Sequence, residues 1–370
     1  MVAGIETLID EFVRRDASDL YMTVGAHPSI RLAQGIVGID PDTLTEEDVQ
    51  AAIKGILPES VLDEFSSTLE YNTAIDWKGV ARLRINLFRQ QHRTGMVMRR
   101  IHTSIPDFET LQLPPIYGDL VMEKRGLILI VGPTGSGKSS SMASMLQYRN
   151  THGNGHIVTL EDPVEYLLEH KNCIITQRDV GIDTYSFGIG LKNTLRQAPD
   201  IIVIGEIRDR EAMEHAIVFA ETGHLCLATL HANNANQAIE RIVNFFPEEK
   251  HRQVLLNLSL NLRAILSQRL MPNTTGSRSI AIEIMLNQGL IRQLIHDGHV
   301  RELKECIEKG RDQGMQSFDQ HLIDLCQAGI ISEATAFLEA DTPSNVRLAL
   351  KQSEIARRTD LGDHQKKGNF

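Results

Sequence analysis

The stretch GLILIVGPTGSGKSSS, Gly126 to Ser141, decides the fold. Leu127 to Val131 is an unbroken apolar run that reads as a short buried strand ending at Gly132. The loop that follows, Gly132-Pro133-Thr134-Gly135-Ser136-Gly137-Lys138-Ser139, matches G-x-x-x-x-G-K-[ST] residue for residue, and a helix is predicted to start near Lys138. Glycines let consecutive backbone N–H groups turn inward, and the positive end of the helix adds to the anion field. Gly132 through Ser139, with Ser140 in the first helical turn, therefore predict a phosphate cradle. In such a cradle Lys138 reaches the β- and γ-phosphates of ATP and the Ser139 hydroxyl ligates Mg²⁺.

Strands and helices alternate on either side of this element, as in a parallel sheet. Further strands are predicted at Ile157 to Leu160, Ile201 to Ile204, Leu225 to Leu230 and Ile280 to Met285. Helices are predicted over Ser186 to Gln197, Asp209 to Thr222 with Gly223 as the stop, Asn234 to Phe245, and Glu249 to Leu270 after Pro247. Leu290 to Leu350 reads as helical, with turns at Gly298, Gly310 to Gly314 and Gly329, and the polar tail from Arg357 is expected to fray.

Carboxylates stand at the carboxyl ends of two of these strands, where ligands bind in α/β sheets. After the second strand come Glu161 and Asp162, placed to hold Mg²⁺ or its waters, although Asp162 before Pro163 also fits a helix cap. The third strand delivers Glu206, with the reach of a general base for the attacking water; a salt bridge to Arg208 is the plainer alternative. The fourth strand ends at His231, placed to sense a γ-phosphate, while His224 at its other end reads as structural. No arginine in this region is obviously placed to neutralise a transferring phosphoryl group, so the cation is expected from a neighbouring subunit.

The amino-terminal part supplies candidates. An amphipathic helix is predicted around Ile5 to Val13, a strand at Ala17 to Met22, and a helix from Glu46 to Leu57 between Thr45 as cap and Pro58 as stop. Strands follow at Tyr71 to Asp76, Val80 to Phe88 and Gly95 to Ile101, which together make a small α+β domain. In Val80 to Phe88 the alternation puts Ala81, Leu83, Ile85 and Leu87 on one face and Arg82, Arg84 and Asn86 on the other. That polar face reads either as solvated or as cations held for a neighbour's phosphate, with Arg99 on the next strand as a third member. Residues His102 to Pro115, with three prolines, read as a linker. The expected domains are 1–101, then the linker 102–115, an ATPase core over 116–286, and a helical carboxyl-terminal region over 287–370.

At 370 residues, with 42% hydrophobic and 23% charged residues, the chain has the composition of a soluble globular protein of more than one domain. Its net charge of −10 speaks against a general nucleic-acid binder, whose affinity needs clustered Lys and Arg. No apolar run approaches the roughly 20 residues that span a bilayer, and the acidic start MVAGIETLIDEF is unlike a signal peptide, so a cytoplasmic protein is expected. Cys173, Cys226, Cys306 and Cys326 form no CxxC pair and read as free thiols.

The order GPTGSGKS, LEDPVEY, IIVIGEIRD and TGHLCLATLH, with R-x-R-x-N upstream, resembles the secretion ATPases of type II, type IV and type IV pilus systems over nearly the whole chain. These segments match that family's Walker A, Asp box, Walker B and His box. The resemblance implies a PAS-like amino-terminal domain, a RecA-like ATPase domain and a homo-hexameric ring. It makes Glu161 part of the Asp box, Glu206 the Walker B glutamate and His231 part of the His box, and it makes Arg82, Arg84 and Arg99 the arginines offered to nucleotide.

Extension ATPases in this family carry a further amino-terminal domain and usually a tetracysteine zinc motif, and neither is found here. The chain therefore looks like the retraction branch, the PilT/PilU family. Leu290 to Asp297, LIRQLIHD, stands where that branch has AIRNLIRE and keeps Ile291, Arg292, Leu294 and Ile295. That departure, the phrases LRQAPD and LATLHANN and the tail beyond Gly310 look most like the PilU type, the accessory to a PilT-type ATPase. The resemblance also implies an inner-membrane platform protein as partner, at the pilus base. The rival expectations are an extension or secretion ATPase, a RecA-like DNA translocase, and a silent scaffold that binds ATP.

Overall fold

The computed structural model describes residues 2–32, 34–101 and 104–353. The chain is α/β and divides into two compact units. The first holds the chain up to Ser104 with Val164–Leu167 and Asp179–Tyr185; the second holds the remainder.

The first unit contains α1 (Ile5–Arg14), β1 (Asp19–Thr23), β2 (Ser29–Leu32), β3 (Gly35–Gly38), α2 (Glu46–Ile56), α3 (Glu59–Thr68), β4 (Glu70–Trp77), β5 (Ala81–Gln90) and β6 (Arg93–Ile101). Its strands pair antiparallel in the order β3-β2-β1-β6-β5-β4. Leu8, Ile9 and Phe12 of α1 and Val49, Ala52 and Ile53 of α2 are buried in one core with Leu83, Ile85 and Leu87 of β5. The alternation predicted for β5 is thus the one observed. Thr45 caps α2 in a reciprocal box with Asp48, each side chain bonding the other residue's backbone N–H. The hairpin β2–β3 and helix α3 were not expected: four-residue strands are too short to show a period, and α3 buries only Val61 and Phe65.

The second unit contains α4 (Ile116–Val121), β7 (Gly126–Val131), α5 (Lys138–His152), β8 (Gly155–Glu161), β9 (Cys173–Asp179, whose last residue groups with the first unit), α6 (Phe187–Thr194), β10 (Ile201–Ile204), α7 (Arg210–Glu221), β11 (Leu225–Leu230), α8 (Ala235–Asn244), α9 (Glu248–Asn261), β12 (Leu262–Pro272) and β13 (Arg278–Leu286). Then come α10 (Gly289–Asp297), α11 (Leu303–Lys309), α12 (Phe318–Gln327) and α13 (Glu333–Glu339). The sheet runs β13-β12-β7-β11-β10-β8-β9. Strands β12, β7, β11, β10 and β8 are mutually parallel, and β13 returns antiparallel to β12. Side chain caps from Asp209 and Asn234 start α7 and α8, and Gly223, at φ +96°, follows α7 where the stop was expected.

One expected element is overturned. The helix read over Glu249 to Leu270 ends at Asn261, and β12 begins at Leu262. Leu262, Ala264, Ile265 and Leu266 are buried because β12 lies between β7 and β13 with both faces covered. A doubly buried strand is a continuous apolar run, which periodicity cannot tell from a buried helix. Because β12 is a strand and only a short turn separates Pro272 from Arg278, Ile280 to Met285 belongs to an antiparallel hairpin strand and not to the parallel set. Strand β9 was also unforeseen.

Of the span read as a linker, His102 and Thr103 lie outside the described residues. The rest from Ile105 groups with the second unit, where Phe108 stacks on Tyr148 at 5.0 Å and Leu113 is buried. The tail from Arg357 also lies outside the described residues. Among the described residues, no helix is long and apolar enough to cross a membrane.

Candidate nucleotide site

Strand β7 is buried throughout and ends where the glycine loop turns into α5. Gly137, at φ +89°, is the residue before α5, and Gly135 has φ +78°, backbone that L side chains rarely adopt. Gly132 is required for a different reason. A Cβ there would lie 2.4 Å from Ser136 Oγ and 2.5 Å from the backbone oxygen of Gln268 on β12. The neighbouring strand cannot yield, so the loop must. Gly132→Ala is expected to weaken nucleotide binding by roughly tenfold or more, in line with the cost of overpacking; titration with a fluorescent ADP analogue measures it, and unchanged affinity would refute the packing argument. The Lys138 ammonium donates to the carbonyls of Gly132 at 2.8 Å and Pro133 at 2.9 Å, so the loop's own backbone holds it over the cradle.

The sheet order brings the other candidates beside the loop. Strand β11 lies between β7 and β10, and β8 pairs with β10 on its far side, so the residues following these parallel strands share one carboxyl edge. Glu206 follows β10 and His231 follows β11, and His231 Nε2 lies 2.7 Å from Glu206 Oε1. The other imidazole nitrogen, Nδ1, is 3.3 Å from the carbonyl of Gly132. The histidine thus touches both the cradle and the carboxylate. The second oxygen of Glu206 accepts from Arg208 Nε at 2.7 Å, so the salt bridge foreseen as the alternative is present, and it raises the guanidinium's pKa further. Glu206's side chain is 18% exposed.

Glu161 Oε1 accepts from the Thr159 hydroxyl at 2.7 Å and from Gln177 Nε2 at 3.3 Å. Gly205 lets it come close, since a Cβ at 205 would be 3.0 Å from Glu161 Cα. The helix cap suggested for Asp162 is not found, because no helix begins at Pro163; instead Asp162 Oδ2 accepts from Arg208 Nη1 at 3.2 Å. His224 sits at the opposite end of β11, its Nδ1 3.3 Å from the Phe219 carbonyl.

In the first unit, Arg84 and Arg99 are direct cross-strand partners on β5 and β6, with Arg82 two residues along on the same face. Like charges so placed repel unless countered. Arg99 Nε donates to the buried Asp19 at 2.8 Å, and Arg84 Nη1 lies 3.8 Å from Asp179. Arg84's side chain is 16% exposed against 63% for Arg99.

Sequence reading missed three polar residues beneath the loop. Ser267 and Gln268, fully buried, interrupt the apolar run of β12, and Glu283 interrupts that of β13. Gln268 Nε2 donates to Ser141 Oγ at 2.8 Å and to the buried Tyr117 hydroxyl at 3.0 Å, tying α5 and α4 to the strand. Burial pushes the Tyr117 phenol well above its ordinary value. The available signal was a polar residue inside an otherwise apolar run. A cavity of about 460 Å³ opens beside Pro133–Ser136, walled by Asn233, Arg269 and Leu338.

A glycine loop of the P-loop pattern between a buried strand and a helix, with a carboxylate and a histidine converging on the same sheet edge, is the constellation of a P-loop nucleotide hydrolase. The chain matches the model of the family described as Type II/IV secretion system protein over residues 72–340. It is 48% identical to the type IV pilus ATPase PilU of Pseudomonas aeruginosa, covering 94% of this chain and 91% of that one. It is 38% identical to the same organism's pilus retraction ATPase PilT, over 92% and 99%. A crystal structure of the pilus retraction motor PilT with bound ADP superposes at a TM-score of 0.85 with 36% identity, over 93% of this chain and 99% of that one. The chain belongs to the type II/IV secretion ATPases and, within them, to the type IV pilus ATPases of the PilT/PilU family.

Proposed function

We propose that this chain is a hexameric ATP-driven motor that assists type IV pilus retraction, as the PilU-type accessory to a PilT-type ATPase at the inner-membrane platform protein. The observation that carries the chemistry is the contact of His231 with both Glu206 and the Gly132 carbonyl. The similarity to PilT, named a pilus retraction ATPase and retraction motor, supports the assignment to retraction, and the higher identity to PilU supports the PilU type.

In this reading Gly132 to Ser140 hold the phosphates and Lys138 exchanges its carbonyl partners for β- and γ-oxygens. Glu206 takes the proton of the attacking water at a carboxylate oxygen, and His231 reports the γ-phosphate to the start of α8. Hydroxyl and carboxylate oxygens suit Mg²⁺, so Ser139 and Glu161 would hold it, Glu161 through water. Among the described residues no cluster of three acidic, His or Cys ligands is found. That fits an ion whose remaining ligands are phosphate oxygens and waters. When bound, it neutralises charge on the phosphates. Arg82, Arg84 and Arg99 of one subunit serve the nucleotide of the next. Domain limits at 1–101, 116–286 and 287–370, with the linker 102–115 between the first two, complete the proposal: nucleotide turnover changes the angle between the domains, and the ring converts it to work.

The test is deletion of the gene in its host, in strains with PilT intact and with PilT catalytically dead, counting surface pili and scoring twitching. Cells that keep or accumulate pili but move poorly are the expected result. Bald cells would overturn retraction in favour of extension.

A further inference from the structure

Strand β11 ends at Leu230 and α8 begins at Ala235, so only His231 to Asn234 cross from one to the other. The near end of this turn is fixed by the sheet, where Leu230 pairs with Val131 of β7. The far end is fixed by a carboxylate. Glu283 Oε1 accepts the Ala235 N–H at 2.7 Å and the Ser267 hydroxyl at 2.9 Å. Ser267 is its direct cross-strand partner, so the hairpin β12–β13 sets where this oxygen stands. We infer that Glu283 is the positioning residue for the His231 turn: by holding the first N–H of α8, it fixes how far His231 reaches toward Glu206 and the Gly132 carbonyl.

Three observations support this. Glu283 is 3% exposed, and a buried carboxyl without a task is a net cost to the fold. The neighbours that share its face of β13, Ala281 and Met285, are apolar and buried, and the Ala235 N–H and the Ser267 hydroxyl are its hydrogen-bond donors there. An acceptor at a helix start complements both the unpaired N–H groups and the helix dipole. Burial pushes its pKa up to about 7, with Asp341 raising and Arg269 lowering it in smaller measure. Near neutral pH the group is therefore partly protonated, and a glutamine, which keeps the accepting oxygen, is its close mimic. The turn is also held locally: Asn234 accepts from the Gln237 N–H at 2.9 Å, and the Asn233 N–H donates to Gln237 Oε1 at 3.3 Å. These contacts shape the turn but do not tie it to the sheet.

The inference rests on the reading of His231 as the γ-phosphate contact, and the experiment separates the two. Glu283→Gln, Glu283→Leu and Ala235→Pro are compared with the wild-type full chain. Proline suits the first position of a helix, and Asn234 already has the extended backbone it requires (φ −159°, ψ 177°), so Ala235→Pro removes the donor while keeping α8. In the leucine and proline variants kcat for ATP is expected to fall roughly 10- to 100-fold, the scale of a misplaced catalytic group. Affinity for a fluorescent ADP analogue should stay within about twofold, and the glutamine variant should keep the wild-type kcat. Hydrogen exchange of peptides covering 231–240 should rise roughly tenfold in Glu283→Leu and not in Glu283→Gln. Folded leucine and proline variants with wild-type kcat would overturn the inference, as would a glutamine variant as slow as leucine. If the wild type hydrolysed no ATP, the functional reading would fall, and the exchange data would still decide whether Glu283 pins the turn.

Discussion

Glu206→Gln is expected to slow ATP turnover about 10²–10⁴-fold, the range assigned to a positioned general base, while nucleotide binding stays close to wild type. The substitution is informative because both carboxylate oxygens have partners. One meets Arg208 Nε at 2.7 Å and the other His231 Nε2 at 2.7 Å. An amide oxygen still accepts from one of these donors, and the side chain keeps its length, but it cannot take a proton from water at neutral pH. If Glu206 served only to pair Arg208, the half-exposed guanidinium would lose one contact and keep Asp162 at 3.2 Å. Exposed pairs of that kind contribute little, so turnover would change less than tenfold. Single-turnover hydrolysis and analogue titration on the same preparation separate the cases. Near-normal turnover would remove Glu206 from the chemistry and leave it a structural partner of Arg208.

The positions of these groups were legible for a physical reason. A parallel strand delivers its next residue to one edge of the sheet, so an apolar run followed by Glu206 or His231 places that residue without knowledge of anything distant. The cradle was legible because its loop conformation demands glycine, as Gly137 at φ +89° and the crowded Gly132 illustrate. Strand β12 was not legible, because NLRAILSQRL has the same apolar density whether it lies between two strands or along a helix face. Glu283 and Gln268 depend on register: one acts because it stands opposite Ser267, the other because Tyr117 and Ser141 converge on it. The local sign of each is a polar residue in an apolar run, and that sign does not say which partners meet there. The alternation in β5 announced a face for Arg82 and Arg84, yet not that Asp179 lies within 3.8 Å of one of them.

That ion pair sharpens the second prediction. Arg84→Ala and Lys138→Ala are each expected to abolish hydrolysis, with Arg84→Ala slower by about 10³-fold or more, the effect assigned to an arginine supplied in trans. Mixed one to one and allowed to assemble, the two inactive variants are expected to recover activity. The Arg84→Ala subunit keeps its cradle, the Lys138→Ala subunit keeps its arginine, and roughly one interface in four in a random ring of head-to-tail contacts joins the two intact halves. The competing account makes Arg84 the partner of Asp179 and nothing more. Both side chains are largely buried, at 16% and 5% exposure, and breaking such a pair leaves a buried charge whose cost falls on stability. On that account Arg84→Ala lowers Tm and mixing restores nothing, because each subunit's defect stays its own. Recovery on mixing with little change in Tm would assign Arg84 to the neighbour's nucleotide; a lowered Tm without recovery would return it to Asp179 and leave Arg82 and Arg99 to supply the missing cation.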